Sequence, residues 1–239
     1  MLRKIAAAAC CATSVLAACQ PADVPAETQS AAVSEPAPAA RDSTPIILFL
    51  GTSLTAGYGV GAQHAYPAII QQKIDSAGYP LRVVNAGISG ETSAGGLRRI
   101  DWSLQQPVRI LVLELGANDG LRGLSVSDMR DNLEAIIEHT RRRYPDAAIV
   151  IAGMEAPPNL GAQYTRSFRR AFRELADEHD AALIPFLLAD VAAVRTLNQE
   201  DGIHPNVAGQ KRVAENVWRV LQPVIQAQLA RSQETAATR

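Results

Sequence analysis

The stretch IILFLGTSLTAGYG, residues 46–59, joins a run of five apolar residues to a loop rich in glycine and hydroxyl side chains. A short unbroken apolar run of this kind predicts a strand buried on both faces, as in a parallel sheet. Similar runs recur along the chain, and we predict strands at residues 46–50, 81–85, 109–113 and 148–152. These four segments indicate a central parallel sheet.

Longer segments with helical periodicity separate the predicted strands. We predict helices at residues 66–77, 93–102, 127–144, 164–178 and 207–229, the last after an N-cap at Asn206. Strands that alternate with helices form a parallel sheet covered on both faces, so we expect an α/β fold, a three-layer α/β/α sandwich.

Three loops rich in glycine each follow a predicted strand, at residues 51–61, 87–96 and 116–123. In parallel sheets the carboxyl ends of the strands meet at one edge, where chemistry gathers. We therefore expect these three loops to form the functional site.

The charge balance points to no charged partner. The chain of 239 residues has 23 basic and 24 acidic side chains, a formal net charge of -1, so its composition offers no polycationic surface for nucleic acid. The length suits one well-cored domain, and we expect a monomer.

The first nineteen residues have the pattern of an export signal. Arg3 and Lys4 precede an apolar stretch, residues 5–18, that is too short to span a bilayer. The sequence LAAC at residues 16–19 resembles the lipobox of bacterial lipoproteins, which implies cleavage before Cys19 and lipidation of that cysteine. We expect an exported protein that is anchored to a membrane by this lipid and faces the periplasm. The alternative is an ordinary signal peptide and a soluble periplasmic protein.

Composition divides the chain into four segments. After the signal segment at residues 1–19, residues 20–44 are rich in Ala, Pro, Ser and Glu, which is typical of a flexible tether. Residues 45–229 hold the predicted strands and helices and form the predicted globular domain. Residues 230–239 are expected to be a C-terminal tail.

The exported domain lacks the usual soft metal ligands and thiol chemistry. All three cysteines lie in the signal segment, which leaves no disulfide, thiolate metal site or cysteine nucleophile. His139 and His179 are expected on solvated helix faces, and no two histidines have the spacing of zinc ligands. We therefore expect no metal and no cofactor.

Ser53 is a candidate nucleophile because it lies where the first strand ends and the chain turns. Glycines at positions 51 and 57 permit the tight backbone path that would expose its hydroxyl. A lone serine in such a place usually caps or turns a loop, so the assignment depends on a base elsewhere in the chain.

A candidate base lies near the C-terminus in the sequence DGIHPN, residues 201–206. Pro205 disfavours helical geometry at His204 and so holds Asp201 and His204 in a loop before the last helix. Asp201 can bind the Nδ1 hydrogen of His204 and leave Nε2 free to take a proton from Ser53. These three residues form a candidate catalytic triad, although Asp201 or His204 alone would also fit a surface loop.

Acyl transfer also requires hydrogen-bond donors for the oxyanion of the tetrahedral intermediate. Asn118, in LGANDG at residues 115–120, can offer a side-chain amide, and Gly87, in NAGISG at residues 85–90, can offer a backbone N–H. The backbone N–H of Ser53 is the third candidate. Taken separately, these segments are ordinary turn signals.

In chain order, the segments that contain Ser53, Gly87, Asn118 and His204 resemble the four blocks of the SGNH, or GDSL-type, hydrolases. The resemblance covers residues 46–222 and is greatest to the bacterial arylesterase, thioesterase and lysophospholipase branch. The motifs that carry it are GTSLTAGYG at 51–59, GANDGLRGL at 116–124 and DGIHPN at 201–206.

This resemblance implies a flavodoxin-like sheet order and a serine hydrolase without a cofactor. It implies Ser53 as nucleophile, His204 as base and Asp201 as the residue that orients the base. It also implies Ser53, Gly87 and Asn118 as the oxyanion donors.

Two residues in the matching segments are unusual. The family signature usually has Asp before the nucleophile, and this chain has Thr52. We expect this change to alter hydrogen bonding beneath the nucleophile loop without removing the triad. Glu114 is a carboxylate inside an apolar strand, and it requires a partner if it is buried.

The predicted activity is hydrolysis of acyl esters or thioesters through an acyl-enzyme, with a small acyl-ester or lipid substrate. Acid should slow the reaction, because His204 must be neutral to act as the base. Leu121 and Leu124 either line an acyl pocket or belong to a packed loop.

The alternatives are a carbohydrate acetylesterase and a non-catalytic lipoprotein module on the same fold. An α/β-hydrolase is disfavoured by Thr55, which replaces the second glycine of Gly-x-Ser-x-Gly. A dinucleotide-binding domain is disfavoured because residues 81–85 end without an acidic side chain.

Overall fold

The computed structural model describes residues 44–237. The predicted signal segment at residues 1–19, with Cys19, lies outside the described residues, as do residues 20–43 of the predicted tether and residues 238–239. No helix in the described range is both long enough and apolar enough to cross a bilayer.

A five-stranded parallel sheet forms the centre of the domain. Its strands are β1 (Ile46–Gly51), β2 (Arg82–Gly87), β3 (Val108–Glu114), β4 (Ala148–Ala152) and β5 (Ala182–Ile184). They lie in the order β2-β1-β3-β4-β5. The direction of winding reverses between β1 and β3, and ligands bind at such a switch point in open α/β sheets.

The four predicted strands are confirmed within two residues at each end, because β1, β3 and β4 are nearly continuous buried apolar runs. The fifth strand, β5, was not predicted. It has only three residues, two of them half-buried, and so gives almost no periodic signal.

Seven α-helices accompany the sheet within residues 44–237. They are α1 (Ser53–Ala56), α2 (Tyr66–Ser76), α3 (Ser93–Ser103), α4 (Ala117–Leu121), α5 (Val126–Arg143), α6 (Ala162–Glu178) and α7 (Val207–Ala237). Helices α2 and α7 pack together, while α3, α5 and α6 pack in series. The two groups cover the sheet, which confirms the three-layer α/β/α sandwich.

The five predicted helices are confirmed, with one correction. Helix α7 begins at Val207 as predicted but continues to Ala237, eight residues past the predicted end at residue 229. Residues 230–237 contain no glycine or proline that would end a helix, so most of the predicted tail is helical. Helices α1 and α4 were not predicted, because each is a single turn inside a glycine-rich loop.

The start of α7 is tied to the loop that precedes it. Asn206 caps the helix as predicted, since its Oδ1 accepts hydrogen bonds from the N–H groups of Ala208 and Gly209, both at 3.0 Å. A Cβ at Gly209 would lie 2.1 Å from the carbonyl oxygen of Leu197. The first turn of α7 therefore packs directly on the backbone of the loop before it.

We predict that Gly209→Ala lowers the melting temperature. The same change inside an unobstructed helix usually adds about 1 kcal/mol of stability, because glycine is a poor helix former. Here the contact with the Leu197 carbonyl outweighs that gain. Thermal denaturation should show a larger loss for Gly209→Ala than for Ala208→Gly at the neighbouring exposed position. A variant as stable as the wild type would contradict the close packing.

Candidate active site

Ser53 is the first residue of the one-turn helix α1, directly after β1. Thr52 is extended and buried, and Gly57 ends the turn with a φ of 76°. This left-handed conformation favours glycine, which explains why the chain can turn so sharply after Ser53. The Ser53 side chain is half-buried and faces a cavity at the carboxyl edge of the sheet.

The loop before α7 brings an imidazole to Ser53. His204 Nε2 lies 3.0 Å from Ser53 Oγ, and His204 Nδ1 lies 2.7 Å from Asp201 Oδ2. With Nδ1 protonated and donating to Asp201, Nε2 accepts the hydrogen of the Ser53 hydroxyl. The structure thus joins the three candidate triad residues in one chain of hydrogen bonds.

Hydrogen bonds hold Asp201 in its ionised form. They lower the pKa of this carboxyl from 3.8 to about 2, and the backbone N–H of His204 makes the largest contribution. The side chain of His204 and the backbone N–H of Ile203 also contribute. Asp201 is therefore a carboxylate throughout the neutral and mildly acidic range.

Gln199 connects the serine loop with the histidine loop, a contact that the sequence pattern did not predict. Its Nε2 donates to the carbonyl of Tyr58 at 2.7 Å and to that of Pro205 at 3.1 Å. Its backbone N–H donates to the carbonyl of His204 at 2.8 Å. A Cβ at Gly59 would lie 2.0 Å from Gln199 Oε1, so that glycine leaves room for the connection.

Tyr58 also contacts the imidazole directly. The ring centroids of Tyr58 and His204 are 4.5 Å apart, with the planes inclined at 39°. This contact packs the Tyr58 ring against the imidazole and so helps to hold it in place. The sequence signal that could have pointed to Tyr58 is its position inside the glycine-rich motif at residues 51–59.

Gly87 lies away from the cavity, contrary to its predicted role as an oxyanion donor. Its N–H donates to Asn85 Oδ1 at 3.0 Å, and a Cβ at Gly87 would lie 2.3 Å from the backbone nitrogen of Ala56. Gly87 is therefore the point where β2 packs under α1. Gly90, three residues later, lines the cavity instead.

The loop that contains Gly90 is fixed by neighbours on both sides. Arg122 donates to the Gly90 carbonyl at 2.9 Å, and Arg99 forms a largely buried ion pair with Glu91. Asn118 Nδ2 donates one hydrogen to the Glu91 carbonyl at 2.9 Å. Within residues 44–237 the Gly90 N–H donates no hydrogen bond, so this donor is available to a ligand.

A cavity of about 300 Å³ lies over Ser53 and His204. Its wall is mainly apolar and includes Leu54, Tyr58, Leu121, Met154, Leu188 and Ile203. Asn118 and Gly90 supply polar groups beside this wall. Of the two leucines considered from the sequence, Leu121 lines the cavity, whereas Leu124 lies outside it.

Glu114, at the end of β3, is completely buried and has the partners that the sequence could not name. Thr52 donates to this carboxylate from its N–H at 2.8 Å and from its Oγ1 at 2.9 Å, and Thr55 Oγ1 donates at 2.7 Å. Burial raises the pKa of Glu114, and these hydrogen bonds oppose the rise. Burial and the Glu114 charge together raise the pKa of Tyr66.

A second group of titratable side chains lies far from Ser53 along the chain, where the middle of α5 meets the end of α6. Ligand atoms of Glu134, Glu178 and His179 lie within 4.8 Å of one another. Arg130 pairs with both carboxylates, so the group is an ion-pair network. His179 was expected on a solvated face, but its side chain is only 14% exposed because it packs against Glu134.

A three-layer α/β/α domain in which a serine, a histidine and an aspartate are hydrogen-bonded in series has the architecture of a serine hydrolase. Comparison with known proteins identifies the group. Residues 49–212 match the model of the GDSL-like lipase/acylhydrolase family. The chain belongs to this family and is a hydrolase of ester bonds.

Similar proteins cover most of the described domain. Esterase TesA of Pseudomonas aeruginosa is 39% identical over 180 residues, which are 75% of this chain and 89% of that protein. Thioesterase 1/protease 1/lysophospholipase L1 of Escherichia coli is 37% identical, covering 75% of this chain and 84% of that protein. Arylesterase of Vibrio mimicus is 34% identical, covering 77% and 91%.

Solved structures give the same result. The crystal structure of TesA superposes with a TM-score of 0.71 and 39% identity, covering 75% of this chain and 99% of that one. The psychrotrophic esterase EstA from Pseudoalteromonas sp., inhibited by monoethylphosphonate, gives a TM-score of 0.71 and 34% identity, covering 76% and 98%.

Proposed function

We propose that this chain hydrolyses carboxylic esters with Ser53 as nucleophile, His204 as general base and Asp201 as the residue that orients His204. The observation that carries the proposal is the 3.0 Å separation of Ser53 Oγ and His204 Nε2, with Asp201 2.7 Å from the other ring nitrogen. This geometry lets Ser53 lose its proton as its oxygen attacks a carbonyl carbon.

The proposed cycle has two steps. Ser53 Oγ bonds to the carbonyl carbon while its proton moves to His204 Nε2, and the leaving alcohol or thiol then takes that proton. Water, deprotonated by His204, next attacks the acyl-enzyme, and His204 returns the proton to Ser53 Oγ as the carboxylic acid leaves. Asp201 stabilises the imidazolium in both steps.

We propose three donors for the oxyanion of each tetrahedral intermediate. They are the N–H of Ser53 at the start of α1, the N–H of Gly90 and the Nδ2 of Asn118. Gly90 replaces Gly87 in this proposal, because Gly90 lines the cavity with a free N–H. One hydrogen of Asn118 Nδ2 binds the Glu91 carbonyl, which leaves the other for substrate.

The apolar wall of the cavity favours aliphatic or aromatic acyl esters and thioesters as substrates. The names of the relatives, esterase, thioesterase, lysophospholipase and arylesterase, fit this substrate class. A carbohydrate acetylesterase is less favoured, because most of the surface that the cavity exposes is apolar. A non-catalytic binding module is less favoured because the hydrogen-bonded series from Ser53 to Asp201 is complete.

Hydrolysis of p-nitrophenyl esters of increasing acyl length by the full chain tests the proposed nucleophile. We expect hydrolysis by the wild type and a loss of at least about 10³-fold in kcat for Ser53→Ala, because the acyl-enzyme cannot form. Ser127→Ala, an exposed serine at the start of α5, is the matched control and should keep full activity. Turnover by Ser53→Ala would refute the proposed nucleophile.

Acid should affect the stability of the folded protein through Asp201 and its activity through His204. Since the folded pKa of Asp201 is lowered to about 2, it stabilises the native state above its ordinary pKa, and this contribution disappears as the pH falls towards 2. Asp201 stays ionised near neutral pH, so the fall in kcat/KM from neutral to mildly acidic pH should follow protonation of His204 alone.

We expect Asp201→Asn to lower kcat on the order of 10²- to 10⁴-fold, because its amide favours the wrong imidazole tautomer. Stopped assays across the pH range with both proteins test these points. A wild-type rate that stays constant from neutral to mildly acidic pH would remove His204 as the base.

We also propose that the protein is exported and held to a membrane by lipid on Cys19, and that it acts as a monomer. The proposal rests on the basic and apolar signal pattern and on the LAAC motif at residues 16–19. Several acyl chains on one residue bind a membrane far more firmly than one chain does.

The anchor can be tested by expressing the full chain and fractionating cells in high salt. We expect wild type in the membrane fraction and Cys19→Ser in the soluble fraction or uncleaved. Cys10→Ser, inside the signal segment, is the matched control and should fractionate like wild type. Release of the wild type by salt alone would refute the lipid anchor.

A further inference from the structure

The buried carboxylate of Glu114 is a costly feature that the proposed cycle does not use. It ends a strand whose other inner positions are apolar, and its side chain is completely buried. Between residues 44 and 237 no arginine, lysine or histidine forms an ion pair with it. An apolar residue would avoid the cost of burying a carboxyl, so the role of Glu114 lies in the groups that its oxygens bind.

Every hydrogen bond described for this carboxylate comes from the turn that carries Ser53. Thr52, immediately before Ser53, donates through both its backbone N–H and its hydroxyl. Thr55, two residues after Ser53, donates through its hydroxyl. The backbone on both sides of Ser53 is therefore attached to the end of β3, on a different strand.

Tyr66 and Gly51 pack closely against the hydrogen bonds between Glu114 and the turn of Ser53. Tyr66 OH lies 2.7 Å from Thr55 Oγ1, and because Thr55 donates to Glu114, Tyr66 donates to Thr55. A Cβ at Gly51 would lie 2.1 Å from Thr55 Oγ1 and 2.6 Å from Glu114 Oε2. Glycine at position 51 thus allows the carboxylate to approach the turn directly.

We propose that Glu114 is a positioning residue that fixes the backbone turn of Ser53, so that its hydroxyl and N–H are aimed at substrate before binding. This proposal rests on the proposed function, since it concerns the alignment of the nucleophile with His204. It also assigns a role to Thr52, where the family signature usually has Asp. A threonine donates a hydroxyl to Glu114, whereas an aspartate there would set a second carboxylate beside the first.

The test compares Glu114→Gln with Glu114→Leu. The glutamine carbonyl can accept from the N–H of Thr52 and the hydroxyl of Thr55, and its amide can donate to Thr52 Oγ1. Leucine fills similar space but accepts nothing. With a p-nitrophenyl ester and active sites counted by fluorophosphonate labelling, we expect kcat within about fivefold of wild type for glutamine. For leucine we expect a fall of about 10- to 100-fold, with KM changed less than about twofold.

A second pair of variants keeps the proposal testable if Glu114→Leu does not fold. Thr55 and Thr140 are both completely buried threonines, but Thr55 donates to Glu114 whereas Thr140 donates to the Ile136 carbonyl in its own helix. We expect Thr55→Val to lower kcat about tenfold at unchanged KM. Thr140→Val should lower only the melting temperature.

The outcomes separate positioning from simple structural support. If Thr55→Val and any folded Glu114→Leu protein lose stability but keep wild-type kcat, Glu114 is structural and the positioning role is wrong. Equal losses of kcat in Thr55→Val and Thr140→Val would also refute it. Failure of the proposed function is seen separately, because Ser53→Ala would then keep activity or the wild type would have none.

Discussion

The register of three parallel strands is the constraint on which the rest of the site depends. Gly51 at the end of β1 lies level with Gly87 of β2 and with Glu114 of β3. Because the three strands end at one height, the loops that follow them start side by side. A slip of one residue in the pairing of β1 with β3 would move Glu114 away from Thr52 and turn its side chain to the other face of the sheet.

Because the loops start side by side, hydrogen bonds to neighbouring elements can fix each of them. The turn of Ser53 is bound to β3 through Glu114, and the loop of Gly90 is bound by Arg99, Arg122 and Asn118. The loop of His204 is bound to the serine loop through Gln199. Preorganised donors and bases cost no reorganisation when charge develops in the reaction, which is the general requirement for this kind of catalysis.

Much of the fold was predictable because buried parallel strands are continuous apolar runs and their crossover helices are long and periodic. The exceptions are short. Strand β5 has three residues, and α1 and α4 are single turns, so no period can be read from them. Ser53, Asp201 and His204 were predicted as a triad because each lies beside residues that constrain a turn, and hydrogen bonds join the three side chains.

Gly87 was predicted as the backbone donor because a sequence does not show which glycine of its segment lines the cavity. The partners of Glu114 could not be predicted for a similar reason, since Thr52 lies 62 positions away from it in the sequence. Both depend on how strands stack in space, which only the folded chain defines. Asp201 illustrates a different consequence of local contacts. Its anionic form is maintained mainly by short hydrogen bonds from its own loop, with the attraction of a charged partner contributing least. Dissolved ions weaken attraction between separated charges but barely affect such bonds, so the orientation of His204 should survive large swings in ionic strength.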